Sequence, residues 1–250
     1  CAFVVLSSGL SYAATQHPRQ VSLSASLWAD AQVAALASEC ESNGFVRALA
    51  DGSLMLASFQ GYIAQDRFFL SAFSRAYALS REKAAAAGDW VSAAELGELE
   101  AGVHAELSLH SGYAARWGVN MSTVAPVPAC NEYVNFLLRI AEEESVAACA
   151  AAMVPCMRLY AALGQHIATR QLRCMANPSE STDTCSAGIY QEWVDTYAAA
   201  DIEVLASKLE ALLDREAART NAPATKILRS HYVRAMELEL AFFDAWASRS

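Results

Sequence analysis

The chain has 250 residues, 54% of them hydrophobic and 18% charged, enough for a sizeable buried core. Its formal net charge of −9 excludes a nucleic-acid backbone as a natural partner. Alanine is abundant, while Gly (11) and Pro (6) are few, so the composition leans helical.

Residues 2–14, AFVVLSSGLSYAA, are apolar with small residues at their end. They read either as a remnant of a targeting segment or as an ordinary docking segment. The chain begins at Cys1 rather than Met, so its N-terminus is read as incomplete or processed. Residues 1–20 are thus taken as an N-terminal extension and 21–250 as a single helical domain. No stretch reads as a membrane span.

Helical spacing of Leu23, Leu27, Ala31 and Ala34 predicts a first helix over about 22–42, ended by Asn43-Gly44. Ser53 is the expected cap of a second helix reaching Ala87. Asp89 is the expected cap of a third, reaching Trp117. Pro126 and Pro128 mark a connection, and Asn131 is the expected cap of a fourth helix to about Glu144. A fifth spans about 145–172 and contains Pro155, which removes a backbone donor and predicts a kink. The polar run CMANPSESTDTCSAG is a loop. A sixth helix covers about 189–219, bent near Ala200-Asp201, and Pro223 suits the first turn of a last helix ending near Ala247. The fold class is all-α, one helical bundle.

Seven cysteines occur without a CxxC pair, which argues against zinc ribbons and thioredoxin-like motifs. Cys174 and Cys185 share one polar loop and could pair, but free thiols in a reducing, intracellular compartment (cytoplasmic or organellar) are the expectation.

Three segments carry polar groups that need an explanation. Cys156 lies beside Pro155, with Tyr160 one helical turn on. It is either a buried structural cysteine or a nucleophile, which requires a neighbourhood that supports the thiolate. Asp66 stands between Tyr62 and Phe69 on one helical face. It either pairs with Arg67 or Arg75 in solvent or faces a polar pocket. Glu239 sits at the border of the stripe formed by Met236, Leu240 and Phe243. It is either a solvated edge carboxylate or a partly buried acid with a raised pKa. Tyr133, Tyr160 and Tyr197 either belong to the core or line a cavity. Glu98, Glu100 and His104 share a helix, but no Glu-x-x-His motif occurs, so a di-iron site is not expected and no metal ligand is assigned.

Taken together, these segments resemble the TenA/thiaminase-II family. The resemblance rests on Tyr62-Ile63-Ala64-Gln65-Asp66-Arg67-Phe68-Phe69-Leu70, on Pro155-Cys156 with Tyr160 and Gly164, and on Tyr190-x-x-Trp193-x-x-x-Tyr197. It also rests on Tyr133 and on Glu239-Leu240-Ala241-Phe242-Phe243, and spans about residues 24–248. Phe243 replaces the family's usual Trp, and Phe69 replaces a Tyr found in some relatives. The resemblance implies a haem-oxygenase-like fold, a homotetramer and an aminopyrimidine aminohydrolase of thiamin salvage that needs no cofactor. It implies release of ammonia from 4-amino-5-aminomethyl-2-methylpyrimidine, and for many members cleavage of thiamin itself. Cys156 would add to the pyrimidine ring, Glu239 would protonate a ring nitrogen, and Asp66 would bind the exocyclic amine. Tyr133, Tyr160 and Tyr197 would position the ring, with Tyr62 and Phe69 lining the same site. In plants and algae similar domains are sometimes fused to a phosphatase domain. The competing readings are a module that binds a pyrimidine or thiamin without turnover, and a metal-dependent oxidase using Glu100 and His104.

Overall fold

In the computed structural model the described residues are 21–119, 124–177 and 185–247; the expected N-terminal extension lies outside them. They form ten α-helices and one 3-10 turn, with no strand among them, as the composition implied. In chain order these are α1 (Leu23–Trp28), α2 (Ala31–Ser42), α3 (Gly44–Ala50), α4 (Leu56–Ala86) and α5 (Trp90–Arg116). There follow α6 (Pro128–Glu143), α7 (Val146–Ala176), the 3-10 turn Gly188–Tyr190, α8 (Gln191–Ala198), α9 (Ala200–Ala217) and α10 (Ala222–Asp244).

The largest departures from the expected elements arise at side-chain caps. The expected first helix is two, α1 and α2, and a third, α3, opens where the chain was expected to break. Asp30 accepts from Gln32 N (3.0 Å) and starts α2 after a break, and Asn43 accepts from Phe45 N (2.9 Å) and starts α3. Asn43-Gly44 therefore opens a helix as well as closing one. Ser53 does not cap α4, whose first turn follows Met55 without a side-chain cap. Asn131 lies inside α6, which begins at Pro128, where the missing N–H is harmless. Asp89 accepts from Ser92 N (3.1 Å) as expected, and Ser145 caps α7 through Ala148 N (3.2 Å). The predicted bend near Ala200 is a full break, with Ala199 in extended backbone between α8 and α9.

α7 is the axis of the bundle and packs against α4, α6, α8, α9 and α10. It holds an 18-residue stretch apolar enough to cross a membrane (mean hydropathy 1.7), but 78% of that stretch is buried inside the bundle. A helix apolar on every side is what a central core helix requires. The run Ala147–Ala152 is wholly buried, its small side chains allowing neighbours to approach closely. α7 continues through Pro155 without ending. Arg158 fastens it to α9 by pairing with Glu203 (2.8 Å) and Glu210 (2.7 Å). The guanidinium fork meets Glu210 through two nitrogens, a geometry that Lys would not reproduce.

Cys174 and Cys185 are joined in a disulfide, which corrects the expectation of free thiols. Helix α7 runs four residues past the predicted end at Leu172, which carries Cys174 to within 5.2 Å (Cα–Cα) of Cys185. That separation suits the bond, and loop composition alone does not reveal it. The bridge ties the end of α7 to the segment entering α8. Beside it, Gln171 and Gln191 exchange amide hydrogen bonds of 3.2 and 3.0 Å. Closing a loop of 11 residues removes freedom from the unfolded chain worth about 3 kcal/mol. Cys185→Ser, or addition of dithiothreitol, should therefore lower the unfolding free energy by an amount of that order, read as a lower denaturant midpoint. An unchanged midpoint would mean that the amide pair alone holds the junction.

Candidate active site

The residues singled out in the sequence converge where α4, α6, α7, α8 and α10 meet. Glu239 is 1% exposed, so it is neither an edge nor a solvated carboxylate. The phenol of Tyr133, from α6, donates to Glu239 Oε1 at 2.9 Å. The thiol of Cys156, from α7, also hydrogen-bonds to Glu239. Burial pushes Glu239 up most, and the charge of Asp66 adds to it. The two donors hold it down, and it settles at about 7. A carboxyl with that value is half protonated near neutral pH.

Among the described cysteines outside the disulfide, only Cys156 is half-buried; Cys40, Cys130 and Cys149 are buried. Burial raises the thiols of Cys130 and Cys149 to about 11, as inert core cysteines should be. Contact with Glu239 and partial access separate Cys156 from them.

Asp66 is half-buried on α4, and its charge bears on Tyr62, Cys130 and Glu239. It therefore belongs to the inner face of α4. Its neighbour Gln65 performs a task the sequence did not reveal. Its side chain accepts from Val127 N (2.9 Å) and donates to Ala125 O (3.3 Å). Gln65 thus clamps the segment entering α6, the helix that presents Tyr133.

An aromatic shell encloses these groups. Phe69 packs on Tyr133 with ring centroids 4.8 Å apart, backing the phenol that meets Glu239. Tyr62 donates to the Tyr160 hydroxyl at 3.2 Å and accepts from Trp193 Nε1 at 3.4 Å. Tyr160 also lies 4.9 Å from Tyr197 and 5.7 Å from Phe243, ring to ring. Phe242 and Phe243 on α10 continue the shell against Tyr62 and Tyr160. Burial, chiefly, holds the phenols of Tyr62, Tyr133 and Tyr160 well above the ordinary tyrosine range, so they act as neutral hydrogen-bond groups.

Gly164 is the position that lets α8 reach this shell. A Cβ there would lie 2.4 Å from the Tyr197 carbonyl carbon and 2.6 Å from Ala198 N. Both obstacles are backbone, so neither can swing aside. Gly164→Ala should push α8 away and cost about 1–3 kcal/mol, more than its gain in helix propensity. Thermal denaturation would check this; a stabilised variant would mean that α8 tolerates displacement.

Of the residues weighed for a metal, Glu98 pairs with Lys208 and Glu100 with Arg81 at 3.0 Å, while His104 meets Ser74 Oγ at 3.1 Å and lies 3.9 Å from Glu100. Among the described residues no group of three or more His, Cys, Asp or Glu side chains gathers into a metal site. Two surface clefts of about 310 and 350 Å³ are lined from α1, α2, α7 and α9. No member of the Cys156–Glu239 cluster lines either one, so the cluster is recognised by its chemistry rather than by a surface cleft.

Known proteins resemble this chain in sequence and in fold. A relative from Arabidopsis thaliana, "Bifunctional TH2 protein, mitochondrial", is 29% identical over 221 residues, 80% of this chain. The chain spans only about a third of that relative's length, 34%. "Aminopyrimidine aminohydrolase" from Halalkalibacterium halodurans is 27% identical over 203 residues, covering 80% of this chain and 85% of the relative. The solved TenA homologue from P. horikoshii superposes with a TM-score of 0.75 at 22% identity, over 90% of this chain and 98% of its own. It establishes the fold as a helical bundle of the haem-oxygenase-like type. Residues 31–249 match the model of the TENA/THI-4/PQQC family, nearly the whole described chain, and the protein belongs to that family.

Proposed function

We propose that this protein is an aminopyrimidine aminohydrolase of thiamin salvage, with Cys156 as its nucleophile. On this reading it converts 4-amino-5-aminomethyl-2-methylpyrimidine to the hydroxymethyl compound and ammonia, and thiamin is a second substrate. The observation that carries the reading is the contact of Cys156 and Tyr133 with one buried carboxyl, Glu239, whose pKa is about 7. The name of the relative from H. halodurans points to the same substrate class.

The proposed chemistry balances within this cluster. The sulfur of Cys156 forms a bond to an electron-poor ring carbon. Its proton passes to Glu239, which protonates a ring nitrogen and so makes the ring a better electrophile. The aminomethyl group reacts as its protonated ammonium form, so electrons returning from the ring break the carbon–nitrogen bond and ammonia departs with its proton already in place. Water then adds at that carbon, the carbon–sulfur bond breaks, and the thiol recovers a proton. Asp66 binds the exocyclic amine, and the tyrosines hold the ring. The residues need no metal or organic cofactor for these steps.

The test is ammonia release from 4-amino-5-aminomethyl-2-methylpyrimidine by the purified protein. Release at a rate far above the uncatalysed one is expected. Tight binding of the pyrimidine with no release would replace this reading with that of a binding module.

A further inference from the structure

We propose that Trp193 is a positioning residue that fixes the direction of the Tyr62–Tyr160 hydrogen bond, so that Tyr160 turns its phenol proton toward the sulfur of Cys156. The inference rests on the reading of Cys156 as the nucleophile and adds a residue that directs it.

An indole N–H donates and never accepts. Trp193 Nε1 lies 3.4 Å from the Tyr62 oxygen, which must therefore accept. Tyr62 is 1% exposed, and its other hydrogen bond is to the Tyr160 oxygen, at 3.2 Å. Its proton goes to Tyr160, because a buried hydroxyl proton without an acceptor is costly. Tyr160 is thereby the acceptor in that pair, and its own proton is left for a group beyond it. Without the indole the two phenols are free to reverse roles, and in the reversed arrangement Tyr160 spends its proton on Tyr62.

Helix spacing points to Cys156 as the receiver. Tyr160 lies one turn after Cys156 on α7, and long side chains on a helix lean back over the preceding turn. The pair is close enough that charge on the sulfur acts on the Tyr160 phenol. A developing thiolate gains from a donor placed in advance. Trp193 is itself held, 4% exposed, with its ring 4.6 Å from Tyr197 and 6.0 Å from Tyr160.

The test is the rate of iodoacetamide alkylation at Cys156, read by peptide mass spectrometry at pH 7, in wild type, Trp193→Phe, Tyr62→Phe and the double variant. Each single variant should slow alkylation about fivefold or more, since one hydrogen bond to a charged sulfur is at stake. The double variant should be no slower than Tyr62→Phe, because both changes break the same chain. If Trp193 only fills space, its loss loosens the shell and alkylation speeds up or stays unchanged, and the proposal falls. Additive slowing would overturn it as well. Tyr62→Phe preserves ring volume, so the proposal stays testable even where Trp193→Phe folds poorly. A wild type that releases no ammonia but shows the alkylation pattern would sink the aminohydrolase reading alone. Normal turnover with alkylation unmoved by either substitution would sink the Trp193 proposal alone.

Discussion

Replacing Cys156 with serine should reduce ammonia release by about a thousandfold or more, with the fold and thermal midpoint nearly unchanged. The substitution exchanges sulfur for a smaller, harder oxygen at a half-buried site, so little packing is lost. The hydroxyl still donates to Glu239, which keeps that buried carboxyl partnered. What disappears is nucleophilicity: a hydroxyl is far less acidic than a thiol, and the neighbouring carboxyl is too weak a base to remove its proton. The expected signature is therefore a collapse in kcat with a KM close to that of wild type, because the groups that hold the ring are untouched. Circular dichroism and a thermal melt on the same preparation separate lost chemistry from lost fold. Retention of wild-type turnover would remove Cys156 from the mechanism and leave the Tyr133–Glu239 pair as the centre of any other proposal.

The all-helical class and most of the elements were legible in the sequence, because periodicity and breakers report on them directly. α5, α7 and α10 fall close to where Asp89, Ser145 and Pro223 place them. The failures occur where a local hydrogen bond competes with a continuous apolar pattern. Asp30 and Asn43 each turn the chain to cap a new helix, and the periodicity of 22–42 runs across the first break unchanged. Ser53 fails as a cap because Asp51 already accepts from its backbone N–H at 2.9 Å and holds it in the preceding turn.

The site was legible as residue types but not as an assembly. Spacing alone left Glu239 at the edge of a stripe, since burial depends on which helices pack over it. Only the placement of α6 brings Tyr133 to its carboxyl. The resemblance to TenA supplied the grouping of Asp66, Cys156 and Glu239, and the structure brings all three to one cluster. Gln65 and Trp193 lay inside quoted motifs, yet their tasks depend on partners 62 and 131 residues away in sequence. No local pattern carries such information. The disulfide was missed for the same reason, because two cysteines in one polar loop look alike whether or not the helix end brings them within bonding range.

Glu239→Gln should abolish most of the activity and, above pH 7, make the protein more stable than wild type. The first effect follows from loss of the acid that protonates the ring, a role worth about a hundredfold to ten-thousandfold in rate. The second follows from linkage. Burial raises the folded-state pKa of Glu239 to about 7, from an ordinary value of 4.5 in the unfolded chain. Below pH 4.5 the carboxyl is protonated in both states and burial exacts no electrostatic cost. Between 4.5 and 7 the unfolded chain gives up its proton while the folded protein keeps it, so wild-type stability falls as pH rises. Above 7 the folded protein holds a buried carboxylate and the loss levels off at about 3 kcal/mol, the shift multiplied by the free energy per pKa unit. Glutamine fills the same volume, can still accept from Tyr133, and does not titrate. The difference between variant and wild type in denaturant midpoint should therefore be small at pH 4.5, grow toward pH 7 and stay constant beyond it. Parallel curves across that range would mean that the carboxyl titrates normally in the fold, and the same protein could not then hold a proton on Glu239 at neutral pH for the ring nitrogen.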